Sequence, residues 1–210
     1  MNGFFIMAKN KLRIAVTGGI GSGKSEFCRL LEANGYKVLY ADAISKEVLN
    51  VNAKVRNKII QAFGKETFID NKPNIEYLSA NIFNNPDSVL KINSIIHPVV
   101  IKIQNERMNE ILKKDDVVFL EAALIFEAEI EDDFDYIILI NSTDDNKIKR
   151  VLAKGKLTAD EIKKRIANQI PDEEKKEAVD FVFENNGSLD ELKQKVSIFL
   201  IILKSLLEKN

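Results

Sequence analysis

A glycine-rich turn between a short apolar strand and a helical segment constrains this chain more than any other feature. Gly18, Gly23, Lys24 and Ser25 fill the fixed positions of the phosphate-loop pattern G-x-x-x-x-G-K-S/T. Glycine allows successive backbone N–H groups to approach one polyphosphate, and a following helix directs its positive dipole end at the same anion. A chance match arises roughly once in a hundred chains of this length at average residue usage. The pattern therefore predicts nucleotide binding.

The residues around the turn supply the strand and the helix that this mechanism needs. Leu12–Val16 is an apolar run typical of a buried strand, and Glu26–Asn34 has a helical pattern. In this setting we expect Lys24 to reach the β- and γ-phosphates of a nucleotide. We expect the Ser25 hydroxyl to ligate Mg²⁺.

Charge and composition exclude several classes of protein. The 210 residues are 45% hydrophobic and carry a formal net charge of −1, with no basic block before the C-terminal helix, so no nucleic-acid partner is expected. Cys28 is the only cysteine and is expected to face the core. The apolar runs Phe4–Met7 and Ile198–Leu203 are too short to span a membrane. We therefore expect a cytoplasmic protein, a monomer or small homo-oligomer, with Met1 and Met7 as alternative starts.

The order of predicted elements identifies the fold class. After the first strand, further strands are predicted at 36–40, 117–120, 136–140 and 181–183. The region 43–113 is predicted to be helical, with loops at Gly64 and Asp70–Asn74 and with Asn74 as the cap of a helix from Ile75. Pro98 is expected either to interrupt a helix in this region or to begin the next one. This order predicts an α/β fold, a parallel doubly wound P-loop kinase sheet with a helical substrate-binding insert and a helical lid. The predicted domains are a nucleotide-binding core at 1–42, 114–149 and 178–210, an acceptor subdomain at 43–113 and a lid at 150–177.

Three side chains outside the turn are candidates for chemistry, each with a structural alternative. Asp42 follows the second strand, where ligands of open α/β sheets collect, but is equally suited to cap a helix over Ala43–Leu49. Glu121 follows the third strand and is either a Walker-B-like carboxylate that holds Mg²⁺ through water or a solvated strand end. His97, the only histidine, is more typical of a packed residue than of a catalyst.

The segment 150–177, called the lid segment below, is rich in Lys and Arg and contains Gly155 as a hinge-like break. Thr158 and Glu161 form a capping-box pattern that predicts the start of a helix. A cationic lid over a phosphate-transfer site has this composition, because closure excludes water and neutralises the developing charge. An exposed pair of charged helices is the alternative.

Further motifs, taken with the phosphate loop, resemble those of the dephospho-CoA kinase family. In chain order they are TGGIGSGKS at Thr17–Ser25, YADA at Tyr40–Ala43, NSIIHP at Asn93–Pro98, EAALIFE at Glu121–Glu127, and Gln169 with DFVFENNG at Asp180–Gly187. They follow the family's order at similar spacing, so the resemblance covers nearly the whole chain.

The resemblance implies an activity and a set of roles. The family transfers the γ-phosphoryl group of ATP to the ribose 3′-hydroxyl of dephospho-CoA, which gives CoA and ADP in the last step of CoA synthesis. Asp42 would take the proton of that hydroxyl, and Arg150 would lie near the transferred phosphate. His97 would lie at the acceptor site. Lys154 would take the place of a lid arginine and contact the substrate. Asn185 and Asn186 would border the adenine of ATP. The residues that would cradle the ATP phosphates are Gly21, Ser22, Gly23, Lys24, Ser25 and Glu26.

The chain departs from the family pattern at several positions. Tyr40 replaces the first Asp of the D-A-D segment, Lys46 and Lys154 stand where the family has Arg, and Ala123 replaces a Pro. Arg and Lys bind phosphate differently, so the acceptor contacts are expected to be rearranged. The phosphate-loop lysine and the candidate base are both present, so an active kinase is expected.

Two other readings remain open from the sequence. One is a P-loop kinase that acts on a nucleoside, a nucleotide or a shikimate-like acceptor. The other is a regulatory nucleotide switch or a non-catalytic ATP-binding module. A GTPase would carry an N-K-x-D motif at a strand end, whereas the N-K pair of this chain, Asn71-Lys72, continues into Pro73-Asn74.

Overall fold

The computed structural model describes residues 11–82, 85–155, 157–167 and 169–208. Within these ranges the strands are β1 Leu12–Thr17, β2 Lys37–Tyr40, β3 Phe68–Ile69, β4 Lys72–Pro73, β5 Val117–Glu121, β6 Tyr136–Asn141 and β7 Phe181–Glu184. The α-helices are α1 Lys24–Ala33, α2 Ala41–Val51, α3 Ala53–Phe63, α4 Ile75–Asn81, α5 Pro86–Leu112, α6 Asp144–Leu152, α7 Ala159–Ala167, α8 Asp172–Lys176 and α9 Leu189–Glu208. The N-terminal apolar run, Phe4–Met7, lies outside the described residues.

The main sheet has the strand order β2-β5-β1-β6-β7. Strand β1 pairs in parallel with β5 and β6, and β6 pairs in parallel with β7. Because β1 is central and covered on both faces, its residues are buried except for Arg13, which accounts for the unbroken apolar run in the sequence. The prediction of an α/β fold with a parallel sheet and flanking helices is confirmed.

The chain forms two compact units. One contains the described residues up to Leu39 and from Met108 onward, and therefore the lid segment and all of the main sheet except Tyr40, the last residue of β2. The other runs from Tyr40 to Arg107. The finer division into core, acceptor subdomain and lid stays a prediction.

The 40–107 unit is mainly helical but contains a short antiparallel hairpin of β3 and β4. Asp70 and Asn71 turn the chain there with φ values of 48° and 62°, a left-handed conformation that Asn and Asp tolerate better than most residues. The predicted loop at Asp70–Asn74 thus contains this turn, and the two short strands beside it were missed. Asn52 also divides one expected helix into two, because its side chain caps α3 by accepting a hydrogen bond from the Val55 N–H at 3.0 Å.

Helix α5 continues for 27 residues through Pro98. A proline inside a helix removes one N–H donor and normally kinks or ends the helix. The carbonyl that loses this partner is that of Ser94, and both Ser94 and Pro98 are exposed. Water can therefore satisfy the carbonyl on that face of the helix.

Local capping signals in the sequence are confirmed. The Asn74 side chain accepts from the Tyr77 N–H at 3.2 Å at the start of α4. Thr158 and Glu161 form the capping box before α7, where the Thr158 N–H donates to Glu161 Oε2 at 2.7 Å and the Glu161 N–H donates to Thr158 Oγ1 at 3.3 Å. These bonds join residues only three apart, so the sequence pattern was sufficient to predict them.

A cluster of phenylalanines joins the C-terminal helix to the sheet and to α1. The Phe199 ring on α9 lies between 5.7 and 6.2 Å, centroid to centroid, from the rings of Phe27, Phe119, Phe181 and Phe183. Phe199 is fully buried.

Cys28 is buried in α1, as expected, and burial raises the pKa of its thiol, so the unreactive protonated form is favoured. None of the helices in the described part of the chain is long and apolar enough to cross a membrane.

We predict that Phe199→Ala lowers the free energy of unfolding by about 3–5 kcal/mol, because it removes a large buried ring and leaves a cavity. Urea denaturation would measure this change. The neighbouring Ile198 is 56% exposed, so Ile198→Ala is the control, with an expected change within about 0.5 kcal/mol. Similar losses in the two variants would contradict a central role for Phe199.

Candidate active site

The phosphate loop connects the end of β1 to the start of α1, and three of its glycines have positive φ: 140° at Gly18, 78° at Gly21 and 105° at Gly23. A Cβ atom at Gly18 would collide with the carbonyl oxygen of Ile140 on β6. The loop therefore needs glycine both for its backbone angles and for its close approach to the neighbouring strand.

Lys24 lies against the loop that precedes it. Its Nζ donates to the carbonyl oxygens of Gly18 at 2.7 Å and Gly19 at 3.0 Å, and the residue is 8% exposed. Gly23 is the N-cap of α1, and Ser25 and Glu26 lie in the first helical turn. The first N–H groups of a helix have no partner within it, so this end of α1 is suited to bind an anion.

A cavity of about 460 Å³ lies beside this helix end. Eight of the predicted site residues line it: Gly21, Gly23, Lys24, Ser25, Glu26, Arg150, Lys154 and Asn185. The cavity is closed on another side by Gly187, Ser188 and Leu189, which follow β7. The structure thus places the phosphate loop, the end of α6 and the loop after β7 around one space.

Arg150 is held by three oxygen atoms at the edge of this cavity. Its guanidinium donates to the Asn185 carbonyl at 2.8 Å, the Ser142 hydroxyl at 3.2 Å and the Ser22 carbonyl at 3.3 Å. A guanidinium carries five N–H donors, so these bonds fix its position without using all of them. An arginine fixed in this way is suited to bind phosphate.

The two asparagines after β7 have different surroundings. Asn185 is buried, and its Nδ2 donates to the Ser22 carbonyl at 2.8 Å. Asn186 is exposed, and its Oδ1 accepts from the Ser142 hydroxyl and the Thr143 N–H, both at 2.9 Å. A contact of either residue with adenine stays a prediction.

The predicted Mg²⁺ ligands lie on adjacent elements of the same unit. Glu121 ends β5, where it is opposite Val16 of β1, and Ser25 lies at the start of the helix that follows β1. A hydroxyl and a carboxylate are the oxygen donors that Mg²⁺ prefers when phosphates and water complete its shell. The residues present therefore fit the ion. In the described part of the chain no group of three or more His, Cys, Asp or Glu side chains forms a metal cluster.

Polar contacts between the lid segment and the phosphate loop were missed by the sequence analysis. The Ile20 N–H donates to Gln169 Oε1 at 3.0 Å. Lys147 and Asp172, with side chains 7% and 6% exposed, form an ion pair of 2.7 Å. Both lie beside Gly19, where a Cβ would approach them at 3.2–3.4 Å. Charged residues on short helices usually indicate a solvated face, and nothing local in the sequence marks these as buried.

A second ion pair holds the lid segment to the loop that follows β5. Lys175 Nζ lies 3.2 Å from Glu127 Oε1, which also accepts from the Ile170 N–H at 3.0 Å. The Lys175 side chain has no exposed area. The alternative of an exposed charged helix pair at 150–177 is therefore wrong at Asp172 and Lys175.

The comparisons with known proteins agree with this geometry. The family model described as dephospho-CoA kinase matches residues 12–191. Dephospho-CoA kinases of Staphylococcus aureus and Staphylococcus epidermidis are 34% and 31% identical over 188 residues, which is 89% of this chain and 91% and 93% of theirs. The chain belongs to the dephospho-CoA kinase family.

Solved structures agree with the family at the level of the fold. A Thermus thermophilus protein has a TM-score of 0.78 at 29% identity and covers 93% of this chain and 99% of its own. The dephospho-CoA kinase of Campylobacter jejuni has a TM-score of 0.69 at 26% identity, with coverage of 94% and 98%. A shikimate kinase from Acinetobacter baumannii, at 18% identity and a TM-score of 0.53, shows a shared fold alone.

Family membership confirms the resemblance drawn from the sequence motifs and the enzyme class that it implied. This dephospho-CoA kinase family member is an ATP-dependent transferase with an alcohol-group acceptor, and it acts in CoA biosynthesis. Because the chain belongs to this enzyme family, the alternatives of a regulatory nucleotide switch and of a non-catalytic ATP-binding module are excluded.

The remaining candidates, Asp42 and His97, belong to the 40–107 unit. Asp42 lies exposed in the first turn of α2, which begins at Ala41 with Tyr40 as its N-cap. The alternative that Asp42 caps a helix is therefore wrong. His97 is half-buried within α5, and burial lowers the pKa of its imidazole. Its role at the acceptor stays a prediction.

We predict that the pKa of His97 in the folded protein lies below its ordinary value of 6.5, because burial disfavours the charged form of the imidazole. The unfolded chain protonates at the ordinary value. His97 therefore reduces the free energy of unfolding as the pH falls below that value, and it has no effect well above it.

An NMR titration of the imidazole would measure this pKa, and the signal is unambiguous because His97 is the only histidine. The same titration in urea is the control and should return the ordinary pKa. A native midpoint at or above the unfolded one would contradict the prediction.

Proposed function

We propose that this kinase transfers the γ-phosphoryl group of ATP to the ribose 3′-hydroxyl of dephospho-CoA. The observation that carries the proposal is the cavity in which the phosphate loop, Arg150, Lys154 and the loop after β7 come together, in a chain that matches the family over residues 12–191. ATP is the donor, and the products are CoA and ADP.

The phosphate loop binds the triphosphate of ATP in this proposal. Backbone N–H groups from Gly21 to Glu26 contact the phosphate oxygens, and Lys24 leaves its carbonyl partners to contact the β- and γ-phosphates. Ser25 and Glu121 are the residues that would hold Mg²⁺, the second of them through water. When bound, the ion neutralises negative charge on the phosphates.

Asp42 is the proposed base. The 3′-oxygen attacks the γ-phosphorus and forms the new O–P bond, the bond from the γ-phosphorus to the bridging oxygen breaks, and ADP leaves with those electrons. Asp42 takes the proton of the hydroxyl. Its exposure within the described structure leaves the carboxylate accessible to a substrate.

The other charged groups position substrates and stabilise charge. Arg150 neutralises charge on the transferred phosphoryl group, and Lys154, which also lines the cavity, has the same role. His97 contacts the acceptor, and Asn186 borders the adenine. A cytoplasmic location and a monomer or small homo-oligomer remain predictions of the sequence.

We predict that ADP release from ATP and Mg²⁺ depends on dephospho-CoA as the acceptor. A coupled assay would compare dephospho-CoA with adenosine, AMP and shikimate, and mass spectrometry would locate the new phosphate. The expected result is turnover with dephospho-CoA alone and a product phosphorylated at the 3′-position. Faster turnover with another acceptor would overturn the substrate assignment while leaving the ATP site in place.

We predict that Asp42→Asn lowers kcat by about a hundredfold to ten-thousandfold, because the amide cannot accept the proton. The KM for ATP should change less than about threefold, since Asp42 is not proposed to contact ATP. Asp87→Asn is the matched control, because Asp87 is also exposed in the first turn of a helix of the same unit. Near-normal kcat in Asp42→Asn would exclude it as the base.

A further inference from the structure

We propose that Asn185 is a positioning residue that orients the Gly23 N–H toward the nucleotide phosphates. This role differs from the contact with adenine that the sequence implied. It rests on the proposed function only in that ATP is the ligand of the neighbouring cavity.

The side chain of Asn185 lies directly against the phosphate loop. Its Nδ2 donates to the Ser22 carbonyl at 2.8 Å, and a Cβ atom built at Gly23 would overlap with this nitrogen. Asn185 is 7% exposed. The amide Nδ2 of Asn185 thus donates its hydrogen bond to the backbone of the phosphate loop.

Asn185 is itself fixed by the ends of two strands and by Arg150. Its N–H donates to the Asn141 carbonyl at 2.7 Å at the end of β6. Its carbonyl accepts from Arg150 at 2.8 Å, and the same guanidinium donates to the Ser22 carbonyl at 3.3 Å. A rigid part of the sheet therefore holds the loop at one carbonyl oxygen.

The hydrogen bonds to the Ser22 carbonyl also determine the direction in which the Gly23 N–H points. The Ser22 C=O and the Gly23 N–H belong to one planar trans peptide unit, so they point in opposite directions. Because Asn185 and Arg150 hold the carbonyl, the Gly23 N–H is directed away from them. Gly23 also lines the 460 Å³ cavity in which the proposal places ATP.

The test uses two variants without the donor. Asn185→Leu nearly preserves the shape of the side chain, and Asn185→Ala shortens it. Each variant is compared with wild type below the melting transition of the least stable protein, as shown by circular dichroism. The measurements are affinity for inorganic tripolyphosphate by calorimetry, kcat and KM for ATP, and the ratio of ATP to GTP turnover.

We expect both variants to bind tripolyphosphate more weakly and to lose about ten- to a hundredfold in kcat/KM for ATP, because one phosphate donor is no longer held in place. The ATP to GTP ratio should stay at the wild-type value, since the base is not contacted. Tripolyphosphate affinity within twofold of wild type in a folded variant would overturn the proposal. A changed nucleotide preference with unchanged tripolyphosphate affinity would assign Asn185 to the base instead.

The matched control is Asn34→Leu. Asn34 Nδ2 also donates to a backbone carbonyl, that of Leu30, at 2.8 Å, but it is exposed at the end of α1. Its variant should leave all three measurements unchanged. Tripolyphosphate binding is measured without an acceptor. Failure of wild type to phosphorylate dephospho-CoA would therefore contradict the proposed function, whereas unchanged tripolyphosphate binding in the variants would contradict the Asn185 proposal.

Discussion

The site depends on the orientation of the peptide units in the phosphate loop. A loop that directs N–H groups at an anion must place its carbonyl oxygens and its remaining N–H groups elsewhere, and each needs a partner. The Ser22 carbonyl accepts from Asn185 and Arg150, and the Ile20 N–H donates to Gln169. The partners come from three segments that follow the loop by more than a hundred residues. The rest of the sheet unit therefore fixes the conformation of the loop.

Buried ion pairs hold the lid segment against two neighbouring parts of the chain: α6 beside the phosphate loop, and the loop that follows β5. The pairs Lys147–Asp172 and Lys175–Glu127 lie where water has little access. Removing two charges from water is costly, so such pairs contribute little net stability, and their best-attested role is to specify one arrangement. Here the arrangement places α8 against β6 and Asp172 beside Gly19. Loss of Lys147 or Asp172 would leave an uncompensated charge next to the phosphate loop.

The sequence predicted the local features of the fold because their partners lie within a few residues. The phosphate loop, the Asn74 cap and the Thr158 capping box are of this kind. The predictions that failed depended on whether a residue is buried or exposed, which its neighbours along the chain do not determine. The break expected at Pro98 does not occur: α5 continues through this residue, and the Ser94 carbonyl that loses its partner lies on an exposed face that water can reach.

By itself the sequence determined the P-loop kinase fold, the nucleotide-binding loop and the family. Few other folds are compatible with glycines at this spacing followed by alternating strands and helices. Only the tertiary structure decided that Asn185 contacts the loop backbone, that Arg150 is held by three oxygens, and that Lys147 and Lys175 are buried. These contacts join residues separated by 8 to 163 positions. Most of them depend on how the strands are ordered in the sheet, and no local pattern of residues encodes that order.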